Sequence, residues 1–385
     1  MIKMMMEQQL GHQRISRLIA KGYSRLKTWL SNWVARSTET LLPVEMVVKL
    51  RTGRDWKHWV NALTLEALED LTNAPTEIKQ QLFKAHVRLV EIETHAKCNR
   101  TCSFCPNSIV DRRFNSTLTN SELLHRVFQE LGSINYTGQI KIARYSEPLA
   151  HVDHLCAQIE IARSLVPYAQ IAIVTNTDYL TPTILVRLRQ AGLDVVYMSI
   201  YLKAGEHWTP EIASDCSEKL AKKLGIQITT CEKTSVSLRC NYEYEGLDLR
   251  SACMNFETYG TDRGNSLDQF ITQDRVSPCR EPFETFVIDY TGAVMPCCNL
   301  RSDLPQHQSF PVGDLAIPNS SIFEIYTGHL SAWRRSMVGF DRKPFPCATC
   351  NHRQLPKTLE VPVAQQLENR LDQIGYKKPT ISSLI

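Results

Sequence analysis

From about residue 87 onward, short β-branched and aliphatic runs alternate with helix-patterned stretches, and no other feature limits the fold as tightly. Strands are expected over 87–94, 139–145, 169–175 and 194–200, with helices over 121–131, 154–165 and 182–190 between them. Strands separated by single helices require right-handed crossovers, so the fold class is α/β with a parallel sheet. Past Gly205 the pattern blurs. Residues 218–224 read as helix, whereas 225–230 and 235–242 fit either two barrel strands or a hairpin.

The first 85 residues differ from the rest. Eleven Lys and Arg stand against four acids among residues 1–60. Ile15, Leu18, Ile19, Leu26, Leu30 and Val34 recur at helical spacing with Arg and Lys between them, a basic amphipathic pattern. Such a helix packs on its own domain, docks an acidic partner such as a peptide, or lies on a membrane surface. The expected organisation is a basic helical extension over 1–85, an α/β core over 86–265, a smaller domain over 266–355 and a tail over 356–385 with one helix near 363–374.

Composition narrows the function classes. With 43% apolar and 22% charged residues the chain is built for a sizeable core, and a net charge of +4 is too small to indicate nucleic acid. No run of eighteen apolar residues is present, so no membrane span is expected. The opening MIKMMMEQQLGHQ lacks the apolar core of a secretory signal, and the expected location is the cytoplasm. Thirteen cysteines in a reducing compartment stay free of disulfides, and clustered ones are expected to bind metal.

Three of them, Cys98, Cys102 and Cys105, fall on the loop after the first expected strand. Three thiolates suit a site that leaves one coordination position open. Structural zinc would ask for a fourth ligand, with His95 the nearest candidate, but its ligands usually come in two pairs rather than as C-x3-C-x2-C. The run Cys98-Asn-Arg-Thr-Cys102-Ser-Phe104-Cys105 resembles the signature of the radical S-adenosylmethionine (SAM) superfamily, including Phe104 before the last cysteine and the loop's position. The resemblance implies a partial (β/α)6 barrel and a 4Fe–4S cluster on these three cysteines. Its open iron would chelate SAM, whose reductive cleavage yields a 5′-deoxyadenosyl radical that abstracts a substrate hydrogen. It also implies an electron donor such as flavodoxin or ferredoxin.

The same resemblance carries further positions. Arg144-Tyr145-Ser146-Glu147-Pro148 stands where the family has Gly-Gly-Glu-Pro, so Glu147 is expected at the SAM ammonium and Ser146 in the SAM site, although Tyr145 and Ser146 replace both glycines. Thr175, Asn176 and Ser199 end later strands, where the family contacts the SAM ribose or carboxylate; otherwise each is a polar cap. Arg263-Gly264-Asn265 resembles a segment near the adenine.

A second set follows: Cys279, Cys297, Cys347 and Cys350, with Cys298 as an alternative to Cys297. A hairpin over 285–289 and 293–296 lies between the first two ligands. Four thiolates also suit structural zinc. Their order resembles the SPASM/twitch region of radical SAM enzymes, in its shorter form with one auxiliary 4Fe–4S cluster, since Cys350 is the last cysteine. Cys231, Cys240 and Cys253 are candidate hydrogen-atom or proton donors on late barrel strands.

The resemblance leaves the substrate open. One reading is a precursor-peptide maturase that cross-links or excises residues, as spliceases do, with leader recognition supplied by a separate small protein. A second is a twitch-type dehydrogenase of a sugar or aminocyclitol, and a third a non-catalytic scaffold. The basic extension favours the peptide reading, and the intact Cys98, Cys102, Cys105 and Glu147 oppose the third.

Overall fold

The computed structural model describes residues 68–354, except 204 and 272, together with 364, 367–369, 371–373 and 376. The basic segment expected over 15–34 lies outside the described residues. The chain divides into two compact units, Met1–Ala62 with Leu355–Gln373 and Leu63–Gln354 with Ile374–Ile385. The architecture below is that of the second.

Helix α1 (Thr76–His86) leads into β1 (Leu89–Ile92), and the alternation continues through α2 (Ser121–Ser133), β2 (Gln139–Ile142), α3 (Val152–Leu165), β3 (Gln170–Thr175), α4 (Pro182–Gln190), β4 (Val195–Ile200) and α5 (Pro210–Leu224). Local chemistry sets the helix ends. The Asn120 carboxamide accepts from Glu122 N and Leu123 N at the start of α2, while Thr181 and Thr209 cap α4 and α5 ahead of a proline at the first turn. Gly225 ends α5 in the left-handed conformation, at φ 66°.

Beyond α5 the alternation gives way to the hairpin β5 (Gln227–Lys233) and β6 (Ser237–Glu243), followed by β7 (Asp248–Met254). Of the two readings open for 225–242, the hairpin holds: β5 and β6 are antiparallel, and β6 returns antiparallel against β7. Strand β7, which the sequence pattern did not disclose, lies parallel to β4. The short α6 (Glu281–Glu284) precedes β8 (Thr285–Ile288), β9 (Ala293–Met295) and β10 (Gly313–Asp314), and then come α7 (Ile322–Glu324), a π-helical turn Ile325–His329 and α8 (Leu330–Met337).

All ten strands form one sheet in the order β10-β9-β8-β1-β2-β3-β4-β7-β6-β5. Strand β8 pairs in parallel with β1, Val90 opposite Phe286, so the expected boundary at 265 does not interrupt the sheet. Six neighbouring strands, β8 through β7, therefore run parallel, as a partial barrel requires. Each strand shows its helix-facing side as buried aliphatics: Val90 and Ile92, Ile140 and Ile142, Ile171 and Ile173, Val196 and Met198 belong to one core with α2–α5. The opposite side is polar, with Glu91 and Lys141 in a 2.7 Å ion pair and Tyr197 and Ser199 only half-buried. Strand ends and the loops after them converge at the carboxyl edge, where the cysteines lie.

Candidate active site

The loop after β1 carries Cys98, Cys102 and Cys105 into a pocket also lined by Arg144, Tyr145, Ser146, Glu147, Thr175, Asn176 and Tyr201. Four strands, β1 to β4, thus supply one site, because their ends are adjacent in the parallel sheet. Burial foremost, with the neighbouring Glu147 and the other two sulfurs, pushes the Cys98 thiol up to about 12. Burial and the neighbouring Cys105 push Cys102 up to about 11. Free thiolates are costly there, and a bound metal cluster would offset that cost, so the donor set fits an iron–sulfur group.

Glu147 is almost wholly buried, and it accepts hydrogen bonds from Thr175 Oγ1 at 2.6 Å, Asn176 N at 2.7 Å and Leu149 N at 3.1 Å. Its own N–H donates to Lys97 O at 2.9 Å, which ties the strand-end turn to the cysteine loop. Desolvation raises its pKa to about 7 despite these donors. A buried carboxylate with no cationic side chain bonded to it is poised to receive a cationic ligand.

Asn176 Nδ2 donates to Asn99 Oδ1 at 2.7 Å, and Asp178 accepts from Asn99 at 2.6 Å and from Arg100 Nε at 2.7 Å. The cysteine loop is therefore pinned to the end of β3. Phe104 stacks on Phe256 at 3.7 Å with 9° between the rings, and Tyr201 lies 5.1 Å from Phe104. Phe104 and Tyr201 also line the cysteine pocket.

Thr175, Asn176, Ser146 and Glu147 thus gather with the three cysteines, whereas Ser199 does not. Ser199 lines a different cavity, of about 410 Å³, with Tyr197, Thr230, Glu232, Arg239, Asn241 and Arg250. His95 packs edge-on against His151, ring centroids 4.8 Å apart, and does not line the cysteine pocket as a fourth ligand would. The Arg263-Gly264-Asn265 run turns through three successive left-handed residues, and Gly264 O lies 2.7 Å from His307 Nε2. A Cβ at Gly264 would fall 2.4 Å from Leu300, so the close approach requires glycine.

The candidate donors on the late strands are placed otherwise than expected. Cys231 and Cys240, directly opposite each other on β5 and β6, are joined in a disulfide. Neither then has a thiol hydrogen to give, and the expectation that these thiols stay free is corrected. Cys253 is fully buried in the core beneath the helices, because its parity on β7 turns it away from the polar face.

The second set forms a separate sulfur-rich centre. Burial, followed by the charges of Cys298, Cys347, Cys350 and Cys279, drives the Cys297 thiol well up, and burial leads the rise of Cys350 to about 12. Asn299 N donates to Cys297 Sγ at 3.3 Å. The fully buried Arg275 holds the ligand loops by donating to Ser277 O at 3.0 Å, Pro278 O at 2.7 Å and His352 O at 2.7 Å, with Cys350 Sγ 3.9 Å from its Nη1. Four converging thiols and a cation beside them fit a four-thiolate cluster, whose negative charge Arg275 would offset. Cys298 faces Glu281 and His352 instead, in a group whose carboxylate is already paired with Arg353 at 2.7 Å.

Residues 279–351 match SPASM, an iron–sulfur cluster-binding domain. The S-adenosyl-L-methionine-dependent 2-deoxy-scyllo-inosamine dehydrogenase of Niallia circulans is 31% identical over 109 residues, 27% of this chain. That match spans only 41% of the relative's length. Among solved structures, BtrN in complex with AdoMet and 2-DOIA superposes with a TM-score of 0.50 at 22% identity, covering 69% of this chain and 94% of BtrN. Native anSMEcpe with bound AdoMet aligns over 74% of this chain at 12% identity, TM-score 0.39. The family match shows an iron–sulfur cluster-binding SPASM domain over residues 279–351, and the likeness to BtrN shows the fold. Among the described residues no helix is long and apolar enough to cross a membrane.

Proposed function

We propose that the chain is a radical SAM enzyme that oxidises its substrate by hydrogen-atom abstraction. The observation that carries this reading is the convergence of Cys98, Cys102 and Cys105 with the buried Glu147 in one pocket. When bound, a 4Fe–4S group on the three cysteines supplies the electron that cleaves SAM to methionine and a 5′-deoxyadenosyl radical, and a second group on Cys279, Cys297, Cys347 and Cys350 carries electrons. The chain's own part is to hold and orient. Glu147 receives the SAM ammonium, kept in position by Thr175 and Asn176. Phe104, Tyr201 and Phe256 keep water from the reacting atoms. The polar cavity beside Ser199 accepts the substrate. Thiolate-held clusters of this kind suit a reducing compartment, which supports a cytoplasmic location.

Two substrate readings follow. Similarity to the inosamine dehydrogenase supports a hydroxylated or aminated ring, and a cavity of about 410 Å³ is of suitable size. The precursor-peptide reading, with a separate leader-binding protein as partner, is supported by a different observation. The alignment with BtrN covers 94% of BtrN but only 69% of this chain, and this chain carries a basic stretch within residues 1–60.

The test is 5′-deoxyadenosine formation by anaerobically reconstituted protein with SAM, a reductant and host extract divided by a size-cut filter. Stimulation by the filtrate alone supports the ring substrate. Stimulation by the retained, protease-sensitive fraction alone supports the peptide. No 5′-deoxyadenosine with or without extract, despite a full iron complement, overturns the enzyme reading.

A further inference from the structure

The two cysteine sites are joined by a buried ion network that neither of them needs for its own ligands. Asp303, six residues after Cys297, accepts from Arg112 Nε at 2.9 Å and from Arg301 Nε and Nη2 at 2.7 Å each. Arg112 lies on the loop after Cys105, and its other arm donates to Glu93 Oε1, just past β1, at 2.7 Å. Arg301 reaches in the same direction and donates to Asn107 Oδ1 at 2.8 Å. Asn107, two residues after Cys105, then donates to Tyr145 O at 2.9 Å, two residues before Glu147. Arg112, Arg301, Glu93 and Asn107 are all at least 98% buried.

Charge and geometry make Asp303 the keystone of this network. Two guanidinium groups of like charge share one carboxylate, and each is out of water. Removing that carboxylate would leave two buried cations facing one another, with only Glu93 to compensate. A buried pair broken from one side loses far more than a surface pair. The contacts join residues almost two hundred positions apart, so they specify tertiary placement rather than local turns.

We propose that Asp303 is a positioning residue that acts through Arg112 and Arg301 to hold the Cys98–Cys105 loop in its SAM-binding geometry. The SAM site is then coupled to the order of the auxiliary loop. This rests on the SAM-binding reading given above. Coupling of this kind is reciprocal: whatever disorders the segment after Cys297 weakens SAM binding, and SAM binding steadies that segment.

The experiment uses the full chain, reconstituted anaerobically, as wild type, Asp303→Asn, Asp303→Glu and Arg301→Lys. Iron per chain, the SAM-induced change in the electron paramagnetic resonance spectrum of the reduced protein, and the SAM Kd are measured for each. Asp303→Asn is expected to keep the wild-type iron content while its SAM Kd rises at least tenfold, and Asp303→Glu is expected to recover most of the loss. Should Asp303→Asn fail to fold, Arg301→Lys keeps a cation beside Asp303 but cannot also reach Asn107, and the same tenfold weakening is expected of it. A wild-type Kd and spectral response in an iron-replete Asp303→Asn or Arg301→Lys protein overturns the proposal. A wild type that shows no SAM-induced spectral change overturns the SAM-binding reading itself, a result distinct from loss of coupling.

Discussion

At the level of single residues, burial shifts two titratable groups in opposite directions, a histidine down and a carboxylate up. His95 is fully buried, and desolvation, followed by the charge of His151, lowers its pKa to about 4. The unfolded chain therefore takes up a proton near pH 6.5 that the folded chain refuses, so stability falls as pH drops from 6.5 to 4. The loss across that window is on the order of 3 kcal/mol. His95→Gln should flatten this slope, measured as the difference in Tm between pH 7 and pH 5.5 relative to wild type. Glu147 has a raised pKa of about 7, and an ammonium ligand favours its ionised form. SAM binding to the cluster-loaded protein should therefore tighten roughly tenfold per pH unit below 7 and level off above it, as calorimetry would show. Glu147→Gln should bind SAM about tenfold to a hundredfold more weakly and lose that pH dependence. A variant with unchanged affinity would remove Glu147 from the SAM site. Cys98, Cys102, Cys105 and Glu147 could be read from the sequence because each sits in a short pattern whose spacing carries its chemistry. Asp178 and Asp303 could not, since an aspartate far in sequence from its arginine looks like any solvated acid.

Among the elements, the β5–β6 hairpin shows where pattern reading loses resolution. Strand β5 is largely exposed, so it lacks the buried-polar alternation that marks β6 and β7. An edge strand without a buried face cannot announce its partner. The Cys231–Cys240 link closes this hairpin, and its presence is checked by mass spectrometry of a non-reduced digest, where a cross-linked peptide pair is expected. Cys231→Ser with Cys240→Ser should lower the unfolding temperature by a few degrees, the effect of about 2–3 kcal/mol that closing so short a loop supplies. The parallel strands β1–β4 were legible for the opposite reason. Each has a buried aliphatic face and a crossover helix beside it. Tertiary context shortened β1 and β2 by a few residues, as backbone at their ends left the ladder to shape the cysteine and Glu147 turns.

For the molecule as a whole, the two sulfur sites should be separable by mutation even though a salt-bridge network joins their loops. Replacing Cys98, Cys102 and Cys105 with Ala should abolish 5′-deoxyadenosine formation while about half the iron is retained, since the four-cysteine set keeps all its own ligands. Unchanged turnover in that variant would end the mechanism. The presence of a second domain was legible from its cysteines, but its continuity with the barrel sheet was not, because strand order across a sheet leaves no mark on local sequence. That continuity has a consequence for biosynthesis. Strand β8 completes the flank of β1, and Phe83 on α1 packs at 5.5 Å from Phe286 and 5.4 Å from Phe323. A ribosome releases these partners long after α1 and β1 have emerged, so the first elements made wait with an open edge and an uncovered aromatic face. The barrel matures only once the auxiliary ligands are being synthesised, and a chain cut short before β8 would be a target for chaperones and proteases rather than a working half-enzyme.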